Sequence, residues 1–338
     1  MNKLIVYLLF LLINFTVRST FPNYFFNDEI NFLDSLKAQD LKYAYGHHFI
    51  NFFYHAIPIN FYGKEITYLL IVNIILLAII NKYIQTYRSC INYHNVILLM
   101  YCSIFLSFIG KDIFTIIFTI YLLFSGKKII FKTFIFIFFS LAISRYYLII
   151  PLLNYLFIRA LKIKNKTKII FYSLLSYLSI FSATEYFFNK NIFLTRESLT
   201  TELESKTNIN TLIYNLNYFD SNIFNDILNY LYSIITLTIA PLIYAKEITV
   251  SICLFNIFII YLLSKILLID FYSKNCINNK IFIFITGYLL TLFVFEPDLG
   301  SFARHLCLVA TLLLLTKNSS CNKRCFTFKK WNSLFLHV

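Results

Sequence analysis

The chain has 338 residues, 59% hydrophobic and 14% charged, with a formal net charge of +14. A soluble globular domain carries ~45–50% apolar and ~25% charged residues, so this balance argues against a soluble globular enzyme, a disordered tail or a small disulfide scaffold. The basic excess would suit a nucleic-acid binder, but such a binder cannot hide so many long apolar runs.

A membrane-spanning helix needs about 20 mostly apolar residues. The sequence predicts segments at roughly 4–17, 66–81, 95–110, 113–125, 129–144, 146–160, 169–188, 228–245, 248–269, 281–295 and 303–316. Their unbroken apolar runs fit helices and not the alternating strands of a barrel. The first, from Lys3 to Val17, has the basic start and apolar core of a signal peptide but no small-x-small cleavage site after it, and is expected to be an uncleaved first span.

Lys and Arg in short loops stay on the cytoplasmic side. Arg159, Lys162, Lys164, Lys166 and Lys168 place one loop inside, and Lys317, Lys323, Arg324, Lys329 and Lys330 place the tail 317–338 there. Five segments lie between these anchors, and an odd number cannot return the chain to the same side. The most polar, 228–245 with Pro241, is therefore expected to be a re-entrant or surface-lying helix. The expectation is an all-α polytopic membrane protein: a single integral domain over 1–338, about ten transmembrane helices, both termini cytoplasmic, and outer loops at about 18–64 and 189–247 carrying amphipathic or re-entrant helices. Nearly every acid then falls on the outer side.

The seven cysteines (Cys90, Cys102, Cys253, Cys276, Cys307, Cys321, Cys325) avoid the long outer loops, so no disulfide framework is indicated. Cys321 and Cys325 lack the further Cys or His that a zinc site needs, and no Gly-rich phosphate loop or internal repeat is present. No metal and no cofactor is expected.

A charge between apolar segments costs ~2.5–3.5 kcal/mol at a bilayer centre and needs a reason. Lys111 and Asp112 sit in a short turn of "FIGKDIFT", as a pair marking a hairpin or contacting substrate. Arg145 stands alone in "LAISRYYLIIP" on the side where basic residues are disfavoured, which suits an anion binder. Arg196, followed by Glu197, opens the second outer loop. In "FVFEPDLGSFARHLCLVATLLLL", Glu296, Asp298, Arg304 and His305 crowd into ten residues, and Pro297 and Gly300 are expected to break the helix so that this stretch lines a cavity. Arg145, Arg196 and Arg304 share one face of the expected bundle, and guanidinium groups grip phosphate oxygens bidentately. A carboxylate or His beside them would act as base on a hydroxyl while Arg stabilises a leaving phosphate.

The pattern resembles the bacterial O-antigen and capsule polymerases of the Wzy type and the related EpsG-like proteins. The resemblance rests on the Lys111–Asp112 pair, on "ISRYYLIIP", on a large outer loop starting with an Arg, and on "EPDLGSFARH". It implies polymerisation of undecaprenyl-pyrophosphate-linked oligosaccharide repeat units on the outer face of a bacterial inner membrane, for O-antigen, lipopolysaccharide, capsule or exopolysaccharide, without metal or nucleotide sugar. Membrane lipids and a chain-length regulator protein would be partners, and nucleic acid would not. Carried over by position, Arg145 and Arg304 would bind the pyrophosphate, with Arg196 on the outer loop. His305, Asp298, Glu296 and Asp28 are the candidates for activating the acceptor. Two alternatives share these features: a polyprenyl-phosphate-sugar glycosyltransferase, which would use an acid such as Asp28 in the first outer loop, and a non-enzymatic transporter of lipid-linked glycans.

Overall fold

The computed structural model describes residues 3–20, 64–86, 93–107, 111–143, 145–188, 196–198, 200–201, 213–216, 222–238, 250–264, 266, 279–296 and 298–315. Among them the regular elements are helical: α1 (Lys3–Thr20), α2 (Lys64–Thr86), α3 (Tyr93–Phe105), α4 (Asp112–Phe124), α5 (Ile129–Ala142), a 3₁₀ turn (Tyr146–Leu148), α6 (Ile149–Ala160), α7 (Lys166–Phe188), α8 (Asn222–Thr238), α9 (Val250–Ser264), α10 (Asn279–Phe295) and α11 (Leu299–Leu314). Asp28 and the tail 317–338 lie outside the described residues, as do Cys321 and Cys325, most of the loop 18–64 and much of 189–247.

The expected ten-span membrane architecture, and with it the multi-pass inner-membrane location, is corrected by helix length and composition. No helix among the described residues is long and apolar enough to cross a membrane. At 1.5 Å rise, the 12 residues of α6 extend only about 18 Å against a ~30 Å hydrocarbon core. The helices α4, α5 and α6 have 13, 14 and 12 residues and are separated at Ser125–Lys128 and at Arg145, where the expected segments also part, so each is shorter than a span requires. Among the described residues, the three helices of 18 or more residues reach that length by including polar groups: Lys3, Asn14, Thr16 and Arg18 in α1, Lys64, Glu65, Asn73, Asn81 and Lys82 in α2, and Lys166, Lys168, Glu185 and a series of Ser and Thr in α7. The region expected to be re-entrant is an ordinary helix, α8, displaced toward the N-terminus and packed on α7 and α10.

The chain divides into two compact units, one of residues 1–144, 272–278 and 310–338, the other of 145–271 and 279–309. In the first, α1 packs on α3 and α2, and α4 on α5 and α2. Asn14 Nδ2 donates to the Ser103 carbonyl at 3.1 Å, and Ser103 Oγ donates back to the Phe10 carbonyl. These reciprocal bonds satisfy buried polar groups where α1 and α3 cross. Cys102 and Thr311 meet at 3.4 Å, and no disulfide involves Cys102, Cys253 or Cys307. Helix α5 is patterned inside out: Lys132, Phe136 and Ser140 are buried, whereas Ile130 (81% exposed), Phe134 (67%) and Phe138 (58%) face outward. Lys132 reaches the Ser125 carbonyl at 3.2 Å.

The second unit is built around α10, whose residues Ile281 to Val294 are buried all round, as befits a helix apolar on every face. It packs on α6, α7, α8 and the 3₁₀ turn. Gly287 permits a close approach of α6: a Cβ there would lie 2.7 Å from Asn154 Nδ2. Asn154 in turn bonds Ser173 Oγ (3.2 Å) and accepts from Ser176 Oγ (3.1 Å) on α7, while Tyr177 Oη donates to the Gly287 carbonyl at 2.6 Å. Three helices are thus fastened around one glycine.

Candidate functional site

The second unit contains Arg145, Arg196, Glu296, Asp298, Arg304 and His305. The turn between α10 and α11 is short because α11 begins at Leu299, earlier than the sequence predicts. Asp298 explains the early start: its Oδ1 accepts the Ser301 backbone N–H at 3.0 Å, the bond of an N-cap residue. Gly300 therefore lies inside the first turn and does not break the helix. A Cβ on Gly300 would sit 3.0 Å from that same carboxylate oxygen.

The early start lays Arg304 and His305 one turn further into α11, and it brings His305 back toward the end of α10. His305 Nδ1 meets Glu296 Oε1 at 2.5 Å, with both side chains buried. A carboxylate on one ring nitrogen fixes the ring plane and its orientation. Tyr288 Oη donates to the His305 carbonyl at 3.3 Å, steadying the same turn. Asp298 is buried one residue beyond Pro297, and its carboxyl is raised above the ordinary carboxylate range. Burial is the main cause and the neighbouring Glu296 adds to it, while the Ser301 bond and Arg304 act in the opposite direction.

Arg145 precedes the 3₁₀ turn and is buried at 6% exposure. Its Nη1 donates to Tyr147 Oη at 2.5 Å, and its guanidinium carbon lies 5.9 Å from the centroid of that ring. The Tyr147 ring is stacked with Phe295 at 5.9 Å and lies 6.2 Å from the His305 ring. Arg145 is thereby linked through one aromatic side chain to the Glu296–His305 pair, although about 150 residues of sequence separate them. Arg304, half-buried, acts electrostatically on Asp298 in the same turn.

Arg196 has a different set of partners. It is fully buried, donating through Nε (3.0 Å) and Nη2 (2.5 Å) to Asn215 Oδ1 and through Nη1 to Ser233 of α8. Burial lowers its guanidinium to about 10, with Tyr232 acting in the opposite direction. Asn229 of α8 clamps the neighbouring backbone, accepting from Leu216 N–H at 2.6 Å and donating to its carbonyl at 3.0 Å. Lys111 and Asp112 belong to the other unit, at the start of α4, where Thr115 bonds the Lys111 carbonyl and Asp112 lies in the first turn, the end of a helix that favours an acid.

Tyr147 and Phe295 are the residues that sequence reasoning passed over. The available signal was the Tyr-Tyr pair directly after Arg145, but nothing in the spacing says which ring turns back. No group of three or more His, Cys, Asp or Glu suited to a metal occurs among the described residues. Comparison with family models, with curated proteins and with solved structures finds no match to this chain.

Proposed function

We propose that the chain transfers a glycosyl group from an undecaprenyl-pyrophosphate-linked glycan to a hydroxyl of another lipid-linked repeat unit, extending a polysaccharide. The observation that carries this reading is the buried His305–Glu296 pair at 2.5 Å, adjoined by Arg145 through Tyr147 and by Arg304. Glu296 holds Nδ1, so His305 takes the acceptor proton through Nε2. As the O–H bond breaks, the acceptor oxygen bonds to the anomeric carbon. The bond from that carbon to the diphosphate oxygen breaks, and the electron pair leaves on the polyprenyl diphosphate. Arg145 and Arg304 supply the cations for the charge that develops there. Asp298 sets the turn that presents Arg304 and His305.

The test is the length distribution of the product. Arg304→Ala is expected to reduce a ladder of glycan lengths to single repeat units at unchanged protein level, and unchanged long-chain glycan would remove Arg304 from the mechanism. With a purified lipid-linked donor and acceptor, His305→Ala should slow transfer by about 10²–10⁴-fold, the usual range for a general base.

A further inference from the structure

Resting on the reading above, we propose that Tyr147 is a positioning residue that aims the Arg145 guanidinium at the diphosphate and sets its register against the His305–Glu296 pair. Arg145 lies in non-helical backbone (φ −110°, ψ 60°) before a single 3₁₀ turn, so its own main chain gives a long side chain little orientation. Bidentate recognition of phosphate oxygens needs the guanidinium plane fixed before the ligand arrives. Tyr147 supplies both constraints. Its hydroxyl accepts from Nη1 at 2.5 Å, and its ring lies 5.9 Å from the guanidinium carbon. The ring is itself held by Phe295, the residue before Glu296, at 5.9 Å and 25° between planes, and stands 6.2 Å from the His305 ring. A single side chain therefore touches the cation and the elements that carry both members of the pair. The adjacent Tyr146 is 60% exposed, so the two tyrosines of the sequence are not equivalent.

Two readouts on the full chain test this: affinity for inorganic pyrophosphate by calorimetry, and the ring-proton resonances of His305 by NMR. Tyr147→Phe retains the ring and deletes only the hydroxyl. It should weaken pyrophosphate binding about 10-fold, the loss of one charge-assisted bond, and leave the His305 ring resonances in place. Arg145→Ala should weaken binding at least as much, and the double variant should be no weaker than Arg145→Ala alone, because the hydroxyl acts through that Arg. Tyr147→Ala, which also removes the ring, should move the His305 ring resonances, since the neighbouring aromatic ring is gone. If Arg145→Ala weakens binding while Tyr147→Phe binds normally, or if the two losses add, the positioning role is overturned and the diphosphate site stands. If Arg145→Ala binds pyrophosphate like the unaltered chain, the diphosphate reading falls and the role of Tyr147 falls with it.

Discussion

Among single residues, Asp298 combines two demands that burial sets against each other. Its carboxylate caps α11, which favours the ionised form, yet burial favours the protonated form and prevails. A carboxyl raised on folding contributes stability that is complete below the ordinary Asp value of about 3.9 and is lost as pH rises through the folded value. Asp298→Asn keeps an oxygen for the Ser301 N–H and removes the charge. The variant should therefore lose less stability than the unaltered chain between pH 4 and pH 8, measured as the difference in urea midpoint. An equal pH dependence in both proteins would mean that Asp298 does not titrate in this window. The charged residues at 296–305 and Arg145 were conspicuous in the sequence because an ion among apolar neighbours demands a partner. Which partner answers depends on tertiary approach, and for that reason the contact of Tyr147 with Arg145 and His305 could not be read from spacing. Arg196 shows the same limit: the sequence places it on a loop, whereas the fold buries it against Asn215 and Ser233.

At the level of helices, the decisive contact is between α6 and α10. Gly287 has no side chain to separate them, and Asn154 fills the resulting gap while bonding two serines of α7. Gly287→Ala would drive a methyl into Asn154 Nδ2 and is expected to cost about 1–3 kcal/mol, as overpacking generally does. Thermal denaturation of Gly287→Ala, of Asn154→Ala and of the pair provides the check: the pair should be more stable than the sum of the single losses. Additive losses would show that the two residues do not share a contact. Helix identity was legible in the apolar runs, since α4, α5 and α10 fall close to the segments expected at 113–125, 129–144 and 281–295. Helix starts were less legible. α11 begins before Gly300 because an aspartate cap outweighs the small cost of an early glycine. Helix length was legible in α4 and α5 as well: they have 13 and 14 residues, close to the expected segments, and neither reaches the roughly 20 residues that a span needs.

For the molecule as a whole, the surface is the feature that composition leaves no way to avoid. A chain that is 59% hydrophobic cannot bury all of that material in helices of this size. Large apolar side chains accordingly emerge on α1 (Leu4, Leu8, Leu12), on α5 (Ile130, Phe134, Phe138) and on α7 (Phe171, Leu175). Exposed apolar side chains such as those along α5 bind hydrophobic dyes without any unfolding. The folded protein should enhance anilinonaphthalene-sulfonate fluorescence, and Phe134→Ser with Phe138→Ser should lower the signal while helix content by circular dichroism is unchanged. A native signal that the double variant leaves intact would place the dye elsewhere.

The inward turn of Lys132 and Ser140 on α5 bears on how the protein behaves in solution. A helix that keeps its ammonium and hydroxyl for itself presents only hydrocarbon and phenyl rings to its surroundings, and water wets such a stripe poorly. The preparation will hold on to surfactant through dialysis, and its sedimentation and light scattering will report a particle heavier than the polypeptide, with the excess made of bound amphiphile.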